Sequence, residues 1–294
     1  MYYRRKILLA LLEAFDNKLD KIALQKLLML VSACQEKPDF DFIPYKFGCF
    51  SFQANADLTT MGKYSQVREE SECWIKMDPK EYLPDLKKSD QNVIQKVKIK
   101  FNGKDVSELI RYTYINYPFL AIKSKIARDI LSREEYQKIL QVKPESDEIA
   151  LFTIGYEGIT LESYMNKLIR ADVKVLCDVR KNAFSMKYGF SKSQLKRACE
   201  GVDIMYVHFP ELGIESDRRT NLVSQSDYEA LFSLYRSESL PKTVDSQSKI
   251  LMFLKEKKRI ALTCFEADIN QCHRKHLAES ISNLPGFGYS VHHL

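Results

Sequence analysis

The sequence predicts two domains of different class. Residues 1–140 read as a mainly helical, winged-helix-like domain, and 149–294 as an α/β domain with a mostly parallel sheet flanked by helices. Three observations carry this. Apolar residues in the first half recur at helical spacing. In the second half, continuous apolar runs alternate with amphipathic segments, the pattern of a parallel sheet covered on both faces. Between them "QVKPESDE", 141–148, is polar, contains Pro144, lacks periodicity and reads as a linker. With 294 residues, each half is long enough to bury its own core.

The opening "MYYRRKILLALLEAFDNK" has the basic-then-apolar look of a signal peptide but no small-residue cleavage site. Its Ile7, Leu8, Leu11, Leu12 and Phe15 follow a helical stripe, so it reads as a first core helix. "DKIALQKLLMLVSACQ" is a second helix, with Ile22, Leu24, Leu27, Leu28 and Val31 as its apolar face. "FDFIPYKFGCFS" reads as a short extended passage ending at Gly48, after which Ser51 caps the helix "SFQANADLTTMGKY". "SECWIKM" is a short strand at the edge of a wing. "DVSE", 105–108, is a capping box before "LIRYTYINY", which Pro118 ends. The order helix, helix, turn, helix, ribbon suits a winged helix and equally a small helical interaction domain. Lys46, Lys63 and Arg68 are its candidate groove contacts, against a plain solvated face.

In the second half the strands are "IALFTIGYEG", "VKVLCDVR", "DIMYVHFPELG" and "RIALTCFE", with a terminal "GYSVHHL". The helices are "TLESYMNKLIRAD", "SKSQLKRACEG" (opened by Ser191, stopped by Gly201), two segments at 228–236 and 246–257, and "CHRKHLAESI". Right-handed crossovers align the strand C-termini along one edge, where open parallel sheets bind ligands. Polar residues gather at those ends: Gly155, Tyr156, Glu157 and Gly158; Asp178 and Arg180; His208, Glu211 and Gly213; Cys264, Glu266, Cys272, His273 and Arg274.

This half resembles domain-of-unknown-function family 488. The resemblance rests on "TIGYEG" (153–158), "CDVR" (177–180), "GFSK" (189–192), "YVHFPELG" (206–213) and "CFEADINQCHR" (264–274), in that order over about 150–280. Ile214 stands where the family has a second glycine after "LG". The resemblance implies a compact enzymatic α/β domain of a kind found near DNA-modification, repair or defence genes, and supplies no reaction. "KLLMLVSAC" and "FIPYKFGCFS" in turn resemble the helical antitoxin-type domains of the Panacea and SocA-like group, with Cys49-Phe50 replacing the small-residue or proline pattern after the glycine. That implies a separate regulatory or partner-binding module.

Chemically, Arg180, Arg274 and Arg218 or Arg219 offer forked donors for phosphate or carboxylate, helped by a helix N-terminus near Cys272. For Arg180 an ion pair with Asp178 or Glu211 stays open. Tyr156, Asp178, Arg180, His208, Glu211, Gly213 and Arg274 are the candidate substrate-binding residues. Glu157, Glu266, Cys272 and His273 are the candidate catalytic ones: two carboxylates to divide acid and base work, a thiol and an imidazole to assist. The alternatives are that Glu266 caps a helix or holds an arginine, that the thiol and histidines are structural, and that Tyr156 closes the core.

Cys264, Cys272, His273 and His276 are zinc-ligand types. Their spacing matches no zinc finger, however, and adjacent Cys272 and His273 are not expected to face one ion, so no zinc centre is predicted. A transient magnesium on Asp178, Glu157 or a substrate phosphate stays open. "GYEG" and "PELG" are neither a dinucleotide fingerprint nor a P-loop, which disfavours NAD chemistry and P-loop NTP hydrolysis.

Seven cysteines without a paired framework suit a reduced, cytoplasmic setting. No apolar run approaches the roughly 20 residues that span a bilayer, so no membrane partner is expected. The net charge of +6 is divided evenly between the halves and nominates neither as a nucleic-acid binder. Together these readings predict an enzyme acting on a phosphate-bearing substrate, nucleotide or nucleic acid in class, with an N-terminal module for protein or DNA. Two alternatives stand: a DNA-binding regulator whose α/β domain senses an anionic ligand, and a thiol-dependent transferase using Cys272.

Overall fold

The computed structural model describes residues 1–215, 217, 222 and 224–294. The chain forms two compact units, Met1–Lys143 and Pro144–Leu294.

In the first unit, α1 (Tyr3–Ala14) and α2 (Lys21–Cys34) supply the apolar centre, with Leu8, Leu11, Leu24 and Leu28 fully buried. Asp20 caps α2 through the backbone N–H groups of Ile22 and Ala23. Between these helices lies β1 (Lys18–Asp20), a strand too short to show a period of two. The extended passage does not stop at Gly48. It is a hairpin of β2 (Ile43–Tyr45) and β3 (Gly48–Phe50), with Gly48 opening the return strand. Ser51 then caps α3 (Phe52–Lys63), accepting from Ala54 N at 3.2 Å.

Next come β4 (Val67–Glu70) and β5 (Cys73–Lys76). The order β1-β5-β4 puts the "CWIK" strand in the middle of an antiparallel sheet, not at its edge, because β1 pairs with its free side. α4 (Lys88–Phe101) follows, unforeseen in the sequence, and then α5 (Val106–Asn116), whose Asp105–Glu108 capping box is present in both directions. The short α6 (Ala127–Ile130) and α7 (Arg133–Val142) complete the unit.

The second unit is built on β6 (Ala150–Gly155), β7 (Val175–Asp178), β8 (Met205–His208), β9 (Arg259–Cys264) and β10 (Ser290–His293). All pair in parallel, in the order β10-β6-β9-β7-β8. The connecting helices are α8 (Leu161–Arg170), α9 (Lys192–Glu200), α10 (Gln225–Leu234), α11 (Val244–Lys257) and α12 (His273–Ser282). Successive strands step first one way across the sheet and then back, so right-handed crossovers put helices on both faces. Alternate strand residues divide accordingly. Leu151, Val175, Cys177, Ile260 and Leu262 join one core with Leu254, Leu277 and Ile281 of α11 and α12. Thr263 points to the other face, where Tyr164 of α8 donates to its hydroxyl at 2.8 Å.

Strand register fixes the edge that matters. Asp178 is level with His208 on one side and Thr263 on the other, and Gly155 is level with Cys264. The carboxyl ends of four strands therefore form one rim. No described helix is long and apolar enough to cross a membrane.

Candidate functional site

At the end of β7 the chain turns a carboxylate and a guanidinium to the same side, two residues apart. Asp178 and Arg180 form a buried ion pair: Arg180 Nε donates to Asp178 Oδ1 at 2.8 Å, Nη2 donates to Oδ2, and the Arg180 backbone N–H reaches Oδ1 at 3.2 Å. The remaining terminal nitrogen, Nη1, donates to the Tyr156 hydroxyl (2.7 Å) and the Phe190 carbonyl (2.8 Å). Tyr206, on β8, donates to Asp178 Oδ2 at 2.6 Å. Burial raises the Tyr206 pKa, and the neighbouring Asp178 charge raises it further, so the phenol stays protonated. Burial opposes the charge on Arg180, but its bonds to Asp178 more than offset this.

Arg180 is 5% exposed and most of its donors are turned inward, so its main work is to tie three strand ends together. Tyr156 closes the core, with its ring stacked on Phe190 at 4.2 Å between centroids. His208 donates from Nε2 to the Arg180 carbonyl at 2.9 Å, which leaves Nδ1 to accept from Lys192 Nζ at 3.1 Å. Gly213 packs on this turn: a Cβ there would lie 2.0 Å from Lys181 N. Glu211 takes a different neighbour, accepting from the Ser246 hydroxyl in an adjoining cleft.

The end of β9 carries the second group. Cys264 Sγ lies 3.1 Å from Glu266 Oε2 and 3.7 Å from His273 Nδ1. His273 Nε2 is 3.0 Å from the Val179 carbonyl, which can only accept, so this nitrogen bears the proton and Nδ1 faces the cysteine. Cys272 Sγ, Cys264 Sγ and one His273 ring nitrogen all lie within 4.8 Å of one another. Adjacency does not keep the donor atoms of Cys272 and His273 apart. Cys272 is extended (φ −130°, ψ 133°) and His273 is the first helical residue, and this change of backbone direction brings both side chains to one side. His276 stands apart, facing Glu279 and Arg236.

Burial pushes the Cys272 thiol well above its usual range, and neighbouring Cys264 and Glu266 add to the effect, opposite to what a thiolate nucleophile requires. Arg274 is 2% exposed and donates to the Glu266 and Ala267 carbonyls, so it braces the β9–α12 loop. Glu157 accepts from Ala267 N at 3.0 Å. The two candidate carboxylates thus come from neighbouring loops, Glu157 after β6 and Glu266 after β9, and have different partners. Arg218 and Arg219 lie outside the described residues.

Between the two groups is a cleft of about 240 Å³ lined by Tyr156, Arg180, Lys181, Phe184, Cys264, Phe265 and His273, among others. Three of these residues were not singled out in the sequence: Lys181, Phe184 and Phe265, the two aromatics being 68% and 42% exposed. Ile214, at the family's glycine position, is also part of the wall. A signal for Phe184 was present in "KNAFSMKYGF", where aromatic and apolar residues interleave with lysines in a segment without periodicity.

Residues 160–281 match the family model of the domain of unknown function DUF488. The DUF488 match runs from the cap of α8 into α12 and includes Asp178, Arg180, His208, Glu266, Cys272, His273 and Arg274; Tyr156 and Glu157 lie just before it. No curated protein and no solved structure matches the chain.

Proposed function

We propose that the second unit is an enzyme acting on a nucleotide or nucleic acid bound in the cleft at the tips of β6, β7 and β9. The observation that carries this reading is the pairing of exposed aromatic faces, Phe184 and Phe265, with the Lys181 cation along one cleft whose floor holds Cys264 and His273. Aromatic faces hold bases and cations hold phosphates. Because Arg180 and Arg274 are bound inward, Lys181 is the residue for the anion, exchanging its Glu215 partner for phosphate. Glu266 and Glu157, at the rim, are the groups to move protons.

Fluorescence anisotropy of labelled mononucleotides and single-stranded oligonucleotides, followed by product analysis, tests this. Phe184→Ala and Phe265→Ala should each weaken binding roughly tenfold, since stacking on an aromatic contributes about 1–3 kcal/mol per base. Glu266→Gln should keep binding and lose turnover. Absence of binding at low salt by the folded wild-type chain would remove the proposal.

A second reading concerns the first unit. We propose that α1, β1, α2, α3, β4 and β5, with the β2–β3 hairpin inserted between α2 and α3 and sheet order β1-β5-β4, make a winged-helix-like module with α3 as its recognition element. Against duplex DNA stands the β4–β5 hairpin, with Glu69 and Glu70 at the end of β4 and Glu72 in the turn; Arg68 is held by Glu70 at 3.4 Å. Such a wing repels phosphate, so a protein partner suits this surface better. Salt-dependent duplex binding by the whole chain, weakened by Lys63→Glu, would restore the DNA reading.

A further inference from the structure

We infer that Cys264, Cys272 and His273 form a binding site for a thiophilic divalent cation of the zinc class, with an open fourth position toward the cleft. The site goes beyond the proposed nucleotide chemistry and does not depend on it.

Four features support the assignment. The three donor atoms already lie within 4.8 Å of one another, and Cys264 Sγ to His273 Nδ1 is 3.7 Å. Around tetrahedral zinc, with Zn–S about 2.3 Å and Zn–N about 2.0–2.1 Å, neighbouring donors are about 3.5–3.8 Å apart, so small side-chain rotations close the set. The His273 ring is already fixed for ligation: its Nε2–H donates to the Val179 carbonyl and its Nδ1 points at the cysteines. Metal-binding histidines are habitually oriented by such a second bond.

The framework behind the donors is also braced. Arg274 holds the Glu266 and Ala267 carbonyls, and Gly155 lets the Glu266 carbonyl approach β6 so closely that a Cβ would lie 1.9 Å from it. Finally, charge balances. Two thiols release their protons to solvent on binding, and two thiolates with one divalent cation are neutral, which suits a site where both cysteines and the histidine are buried. Thiolate and imidazole donors select zinc over magnesium or calcium. Glu266, beside Cys264 but outside the three-donor group, leaves the fourth position for water or a ligand oxygen. Cys264 and His273 both line the cleft, so that position faces it.

The test uses the full chain purified under reducing conditions. Elemental mass spectrometry should find about one zinc per chain. Cobalt added to metal-stripped protein should give a thiolate-to-cobalt charge-transfer band and tetrahedral ligand-field absorption. Cys264→Ser, Cys272→Ser and His273→Ala should each lower the affinity at least tenfold, while Cys34→Ser, at an exposed cysteine, leaves it unchanged. The wild-type titration stands even if a variant fails to fold. A folded wild-type chain that shows no charge-transfer band with cobalt, or a Cys264–Cys272 disulfide found by mass mapping, would overturn the site. Neither result bears on the oligonucleotide-binding assay, which metal-free protein can undergo.

Discussion

Asp178→Asn isolates what holds the rim of the second unit together. Asp178 is fully buried and accepts from Arg180 N, Nε and Nη2 and from the Tyr206 hydroxyl. An asparagine of nearly the same shape keeps one acceptor oxygen, but it sets an amide N–H₂ against either the Nε or the Nη2 of Arg180. The guanidinium is then a buried cation with no counter-charge. Removing one partner of such a pair costs about 3–5 kcal/mol. At roughly 2–4 °C per kcal/mol for a domain of this size, the melting transition of Pro144–Leu294 should fall by about 6–20 °C. Calorimetry of the full chain, with hydrogen exchange to assign the loss to the second unit, measures it. The companion variant Asp178→Leu/Arg180→Met should recover most of the stability, because neither charge is left alone in the core. A single variant within about 1 kcal/mol of wild type, or a double variant no better than the single, would refute the view that this ion pair organises the strand ends.

Three further outcomes follow from other contacts in the two units. Gly155→Ala should lose at least about 1–3 kcal/mol by overpacking, because the new methyl displaces the Glu266 carbonyl and with it the loop whose Phe265 carbonyl accepts from Tyr156 and Glu157; urea unfolding and raised Cys272 alkylation would register it. Lys26→Met should stabilise the first unit at neutral pH, since burial depresses the pKa of this lysine and its charged form is disfavoured when folded. The wild type gains stability as pH rises from the depressed folded value toward the unfolded one near 10.5, so the advantage of methionine should shrink over that range in pH-dependent melts. Asp105→Ala removes a two-way cap and should cost about 1 kcal/mol, read as a shift of the urea midpoint at unchanged slope.

The parallel sheet was legible because its inner strands are apolar on both faces: every residue of β7 and β9 is buried, so the runs carry no alternation to confuse with a helix. Strand order was not legible. Nothing in "RIALTCFE" says that it inserts between β6 and β7, since neighbours in the sheet are distant in sequence. α4 is faint in the sequence because Ile94, Val97 and Phe101 are its few buried apolar side chains, set among lysines and amides. The hairpin at Gly48 reads as a strand end in the sequence because three-residue strands are too short to show a period.

At the rim, chemistry was easier to read than partnership. Asp178 and Arg180 share a face by strand periodicity, so an ion pair was foreseeable, whereas the Phe190 carbonyl and Tyr206 hydroxyl come from elsewhere in the chain. The convergence of Cys272 with His273 depends on one extended residue before a helix, a change of direction that spacing alone does not encode.

The place of β9 also sets the order in which the second unit can assemble. It is the middle of the sheet, yet about a hundred residues of chain separate it from β6, and until Arg259–Cys264 emerges both β6 and β7 lack their shared neighbour. A nascent chain halted before that segment would present bare backbone on two apolar strands, the template on which polypeptides stick to one another. Truncation there should therefore yield inclusion bodies instead of a smaller soluble domain, and long-range closure of this kind makes folding slow. A chaperone that shields unpaired strands would act on this unit in the interval before its central strand arrives.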